Sequence, residues 1–146
     1  MPSDTDLLAA VDRAERQGTE AQLGNALDHL AAHYHQRGDH VRAVPVYGRA
    51  AALWQQILGP THPAVGTLLL SFSDSLAGLG RLDDAERTLK QGLSICQADP
   101  DWDDPGTADV ILRLVDAFEQ AGRAEHAGAW RQRLVAAQVS VPVKAR

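Results

Sequence analysis

The sequence is poor in several features at once, and each shortage narrows the possibilities. A single cysteine, Cys96, stands among 146 residues, so no disulfide can form within the chain. Its position suits a small buried residue on a helix, with no His or Lys close enough at helical spacing to activate a thiolate. Aromatic residues make up only 5% of the chain, too few for an aromatic-rich β-sandwich core. No apolar run reaches the roughly 18 residues needed to span a bilayer. Met1-Pro2-Ser3-Asp4 lacks the basic start and apolar stretch of a secretory signal. A cytoplasmic protein is the expectation, with no membrane partner. Basic residues are outnumbered, 14 against 19 acidic ones, and no segment concentrates them. That distribution argues against a nucleic-acid partner, which needs a basic footprint.

What is present is apolar, helix-favouring and periodic. Hydrophobic residues make up 45% of the chain, enough for a sizeable core, and Ala and Leu dominate them. Gly38, Gly80 and Gly122 are spaced by 42 residues, as are Ala43, Ala85 and Ala127. The apolar sets Leu27, Leu69 and Ile111, then Leu30, Phe72 and Leu114, then Tyr34, Leu76 and Phe118 keep the same interval. Pro63 and Pro105 complete a sixth column. Six columns in register make chance a poor explanation.

Each unit reads as two helices around a glycine. Leu27, Leu30, Ala31 and Tyr34 fall on one helical face, and Gly38 ends that helix. Asp39 is placed to cap the next helix, whose stripe is Ala43, Val46, Tyr47, Ala50, Leu53, Trp54 and Ile57. Gly59-Pro60 then breaks it. The second unit repeats this with Leu69, Phe72, Leu76 and Leu79, then Leu82, Ala85, Leu89, Leu93 and Ile95. The third has Ile111, Leu114, Val115 and Phe118, then Ala127, Trp130, Leu134 and Val135. The small column at Ala43, Ala85 and Ala127 lets the two helices of a hairpin approach, and a large residue there would overpack the crossing.

Upstream, residues 3–18 read as one leading helix, with Ser3 and Asp6 as a cap pair and Leu8 and Val11 in register with Ala50 and Leu53. The expected fold is all-α, about seven helices in one domain over residues 1–139. Its repeats fall at about 24–65, 66–107 and 108–138, and residues 140–146 form a loose tail.

The pattern Leu27, Leu30, Ala31, Tyr34, Gly38, Ala43, Tyr47 and Ala50 resembles the tetratricopeptide repeat, although the period exceeds the usual value of about 34 residues. The longer period and the junction Leu58-Gly59-Pro60-Thr61-His62-Pro63-Ala64-Val65 resemble the kinesin-light-chain type, including short bacterial proteins of that kind. The resemblance covers roughly residues 23–137. The junction is intact once; Pro100 to Pro105 keeps only the final proline. The resemblance implies a right-handed superhelix of antiparallel hairpins with a concave groove, adaptor work without catalysis, and no cofactor. Some bacterial relatives accompany tubulins, so a tubulin-like filament is among the partners it suggests. The chain departs from the family where an Asn-Asn pair commonly faces the groove: it has Asp28-His29, Leu70-Ser71 and Leu112-Arg113.

The repeat register places Asn25, Asp28, His29, Ala32 and His35 on the groove side of the first unit. Thr67, Leu70, Ser71 and Asp74 follow in the second, and Asp109, Leu112, Arg113, Asp116 and Glu119 in the third. The lining is acidic and suits a basic or amphipathic peptide, helix or filament surface; the plain alternative is a solvated helix face.

Trp102 sits among Asp99, Asp101, Asp103 and Asp104 in the second linker. It reads either as an exposed interface anchor or as a side chain folded onto helix ends. A calcium loop fails there, because its glycine would be Asp104 and its closing glutamate Val110. His29 and His33 share a helical face, but lack the glutamate and third ligand of a metal site. No Ser is set to work with His40 or Asp74 as a nucleophile. Two functions remain open: a protein-binding scaffold, or a self-assembling repeat unit. Arg131 and Arg133 near the end of the last helix point to a polar cap and a monomer.

Overall fold

The computed structural model describes residues 2–102 and 106–140, the last five by backbone alone. The tail beyond Ser140, and Asp103, Asp104 and Pro105 of the acidic linker, lie outside the described residues. Apart from short turns, the described residues are helical, in seven elements: α1 (Asp4–Gln17), α2 (Glu20–Gln36), α3 (His40–Leu58), α4 (Pro63–Gly78), α5 (Leu82–Gln97), α6 (Gly106–Gln120) and α7 (Ala124–Ser140).

Local chemistry sets the boundaries. Ser3 and Asp6 form a reciprocal capping box at α1, and Thr19 with Gln22 forms another at α2. That second box starts α2 at Glu20, ahead of the repeat edge read from the apolar columns. The Asp39 side chain accepts from the Arg42 N–H at 3.2 Å and caps α3. His62 caps α4, its Nδ1 accepting from the Ala64 N–H at 3.1 Å, and Pro63 opens the helix.

The three hairpin glycines share one conformation, with φ of 71° at Gly38, 79° at Gly80 and 76° at Gly122. After each, the next residue donates back to the column carbonyl: Asp39 to Tyr34 (2.9 Å), Arg81 to Leu76 (3.0 Å) and Arg123 to Phe118 (2.8 Å). This Schellman-type closure needs a left-handed residue, which glycine supplies without a Cβ clash. The sequence period is thus a period of turns.

The repeat pattern alone suggests one continuous domain; contacts group the chain into two compact units, Met1–Trp102 and Asp103–Arg146. In the first, Leu7 and Val11 of α1 join Leu27, Leu30, Ala31 and Tyr34 of α2 and Ala43, Tyr47 and Ala50 of α3 in one cluster. Ala51, Val65, Leu69 and Ile95 form a second. In the second unit Phe118 and Ala127 are fully buried, with the Phe118 ring stacked on His126 and Arg123 over its face.

Two core expectations fail. Leu8 is 49% exposed while Leu7 and Val11 are buried, so the inward face of α1 keeps Val11 of the repeat register and takes Leu7 in place of Leu8. Val135 is 57% exposed, whereas Ala127 and Trp130 of the same helix are buried. In both helices adjacent apolar residues competed for one inward position, and spacing alone did not choose between them.

Candidate protein-interaction face

The groove positions of the first unit do not behave alike. Asn25 and His29 of α2 and Thr67 of α4 are exposed. Asp28 is half-buried, and its Oδ2 accepts from the Trp54 indole N–H at 3.0 Å. Its Oδ1 is buried with no hydrogen-bond partner among the described residues. Burial pushes the Asp28 carboxyl above the usual aspartate value, opposed by the Trp54 bond and the nearby His29.

His35 and Asp74 are brought together. Asp74 can only accept, so Nε2 of His35 donates to its Oδ2 at 2.7 Å, while Nδ1 pairs with the Tyr47 hydroxyl at 2.8 Å. Tyr47 is buried, also bonds Ser71, and its pKa is pushed up to about 12 by burial first and then by the charges of Asp74 and Asp28. The chain Asp74–His35–Tyr47 therefore ends in a hydroxyl that holds its proton. It ties α4, α2 and α3 to one another. Alongside it, Nδ1 of His40 meets the buried Ser75 hydroxyl at 3.2 Å.

Leu70 leaves the candidate set. It is only 3% exposed, because Gly92 on α5 has no side chain: a Cβ there would lie 3.0 Å from Cδ2 of Leu70. The leucine packs into the α4–α5 crossing instead of facing outward.

In the second unit Asp109, Leu112, Arg113 and Asp116 are all exposed on one face of α6, with Leu112 46% exposed. Trp102 is half-buried, and its indole N–H is buried without a partner among the described residues. His33 does not pair with His29 as a metal ligand; its Nε2 meets the Asp4 carboxylate, beside Arg37 and Arg42. Among the described residues no group of three His, Cys, Asp or Glu side chains is placed to hold a metal, and no helix is long and apolar enough to cross a membrane.

The spacing argument missed the residues that fix this face. Trp54 lies over Gly24, where a Cβ would come within 2.7 Å of the indole. One period later Cys96 lies over Gly66, again 2.7 Å from a would-be Cβ. Gly24 and Gly66, with Trp54 and Cys96, thus form a paired 42-residue column. The readable part of the signal was Trp54, a large indole that needs room and a hydrogen-bond acceptor; the glycines beneath Trp54 and Cys96 gave none.

The tetratricopeptide repeat profile matches residues 22–98, just over half of the chain. The chain belongs to the tetratricopeptide repeat family. Repeats of this family are protein-interaction scaffolds, and the hairpins described above are its building unit. No curated protein matches the sequence. Among solved structures, BtubC (BKLC) from P. vanneervenii is similar over 98% of this chain, with a TM-score of 0.72 and 19% identity. A Podosopora anserina protein with nearly identical TPR-like repeats of the kinesin-light-chain type is similar over 97%, with a TM-score of 0.73 and 19% identity. The chain spans 59% of BtubC and 68% of the fungal chain. At that identity the likeness is one of fold. It is a kinesin-light-chain-like TPR fold, the type the Leu58–Val65 junction resembles.

Proposed function

We propose that this TPR chain is a non-catalytic scaffold whose α2 and α4 face receives a protein partner carrying basic or amide donors. One observation carries the reading: the carboxylates of Asp28 and Asp74 are held in position, the first by Trp54 and the second by His35, and both act on Tyr47 through their charge. Acceptors held in place lose little side-chain entropy on binding, which favours recognition. Exposed Asn25, His29 and Thr67 border them. The exposed row Asp109, Leu112, Arg113 and Asp116 on α6 is proposed as a second, mixed-charge contact, and Trp102 as an anchor beside it in sequence. The high pKa and burial of Tyr47 favour a binding role over a chemical one.

The likeness to BtubC makes a tubulin-like filament the first partner to test. The filament is assembled, mixed with the chain and pelleted. The expected result is co-pelleting that falls at least tenfold in the exposed-site variant Asn25→Arg/Thr67→Arg. Co-pelleting that is indifferent to this variant would remove the α2 and α4 face. No co-pelleting at all would remove the filament and leave the scaffold reading to be tested on other proteins.

A further inference from the structure

A second surface lies on the other side of α2 from α4. Helices α1 and α3 run in the same direction, since two tight turns and α2 separate them. They do not close on each other. Between them is an open cleft of about 400 Å³, floored by Leu27 and Leu30 and walled by Leu8 and Val11 on one side and Pro45 and Val46 on the other. Leu8 in the α1 wall is half exposed, and Val41, one turn before Pro45 on α3, is 70% exposed.

Charge is divided across the cleft. The α1 edge carries the carboxylates of Asp4 and Glu15, with Asp12 between them paired to Arg16 of its own helix at 3.3 Å, and the α3 edge carries Arg42 and Arg49. Two ion pairs bridge the ends: Arg42 to Asp4 at 3.6 Å and Arg49 to Glu15 at 2.6 Å. They also fix the level of each charge along the helices. All four side chains are partly exposed, from 38% to 63%, and such pairs exchange partners at little cost.

This distribution is self-complementary. Consider a two-fold axis lying along the cleft, parallel to α1 and α3. It sets the acidic α1 edge of one copy over the basic α3 edge of the other, in the same direction. Asp4 of each copy then falls level with Arg42 of the other, and Glu15 with Arg49. The same operation sets each Leu8 opposite the Pro45 and Val46 wall. A two-fold contact requires one patch to complement itself, and this patch does so in both charge and apolar content.

We propose that the cleft is the contact between two copies of this chain, packed about that axis. The proposal goes beyond the partner-binding face and uses none of its residues.

The test is sedimentation of the full chain over a concentration series, with helix content checked by circular dichroism. The wild type is expected to move from the 15.7 kDa monomer to twice that mass as concentration rises. Leu8→Glu, at an exposed position, should weaken the dimer at least tenfold without loss of helix. Glu15→Arg alone and Arg49→Glu alone should also be monomeric, since each sets like charges across the axis. Mixed in equal amounts, these two variants should recover the dimer. The arginine introduced on α1 of one copy would then meet the glutamate introduced on α3 of the other, and the native pair would form on the opposite edge. A wild type that stays monomeric would overturn the proposal. So would a dimer that survives Leu8→Glu, or a mixture of the charge variants that stays apart.

Discussion

Asp28 places one carboxylate oxygen on the Trp54 indole and leaves the other buried without a donor among the described residues. An acceptor left in that state costs about 1–3 kcal/mol, and the raised pKa is the same cost seen as a proton affinity. The consequence has a definite sign. Between the ordinary aspartate value of 3.8 and the raised folded value, the native protein binds more protons than the unfolded chain, so stability falls as pH rises through that window. Asp28→Asn keeps an oxygen for Trp54 and removes the charge. Its melting temperature relative to wild type should therefore climb as pH is raised from about 3 to 7. A difference that is flat with pH would mean that Asp28 ionises as freely folded as unfolded. Asp4 behaves in the opposite way. Its bond to His33, followed by the charges of His33, Arg37 and Arg42, lowers its pKa, so its contribution is present above 3.8 and is lost as pH falls through the lowered value.

At the scale of elements, glycine plays two distinct roles in these hairpins. Gly38, Gly80 and Gly122 turn the chain at positive φ, and Gly24 and Gly66 let one helix lie close on another. The first role is legible in sequence, because a turn needs glycine at one place and the period shows it. The second is not, because a glycine inside a helix looks only like a weak helix former until the opposing side chain is known. Gly66→Ala tests it. The added methyl would stand 2.7 Å from the Cys96 sulfur and 2.9 Å from Ile95, so one helix must shift. Overpacking of this kind costs about 1–3 kcal/mol, although alanine is the better helix former. Chemical denaturation should show that loss; a gain in stability would mean the α4–α5 crossing has slack. Leu8 makes the complementary point. With apolar residues at both 7 and 8, periodicity allowed two inward faces of α1, and packing against Leu27 and Leu30 selected Leu7.

For the whole molecule, net charge and repeat pattern act on different properties. The charge of −5 steers association and leaves the fold to the apolar columns. If the partner is basic, capture by the α2 and α4 face should weaken severalfold between about 50 mM and 500 mM salt, as screening shortens from roughly 14 Å to 4 Å; binding measured by titration across that range checks it. Salt-independent binding would remove charge attraction as the source of capture by this face. The hairpin turns and most helix caps were written locally in the chain, since each depends on residues a few positions apart, and their recurrence every 42 residues gave the period and the repeat family. Which candidate side chains stay open was decided by tertiary packing. Leu70 was drawn inward by the missing side chain at Gly92, and Asp28, His35 and Asp74 were tied down by Trp54 and Tyr47. A helix face has no fixed fate until the neighbouring helix supplies the group that fills, bonds or leaves it.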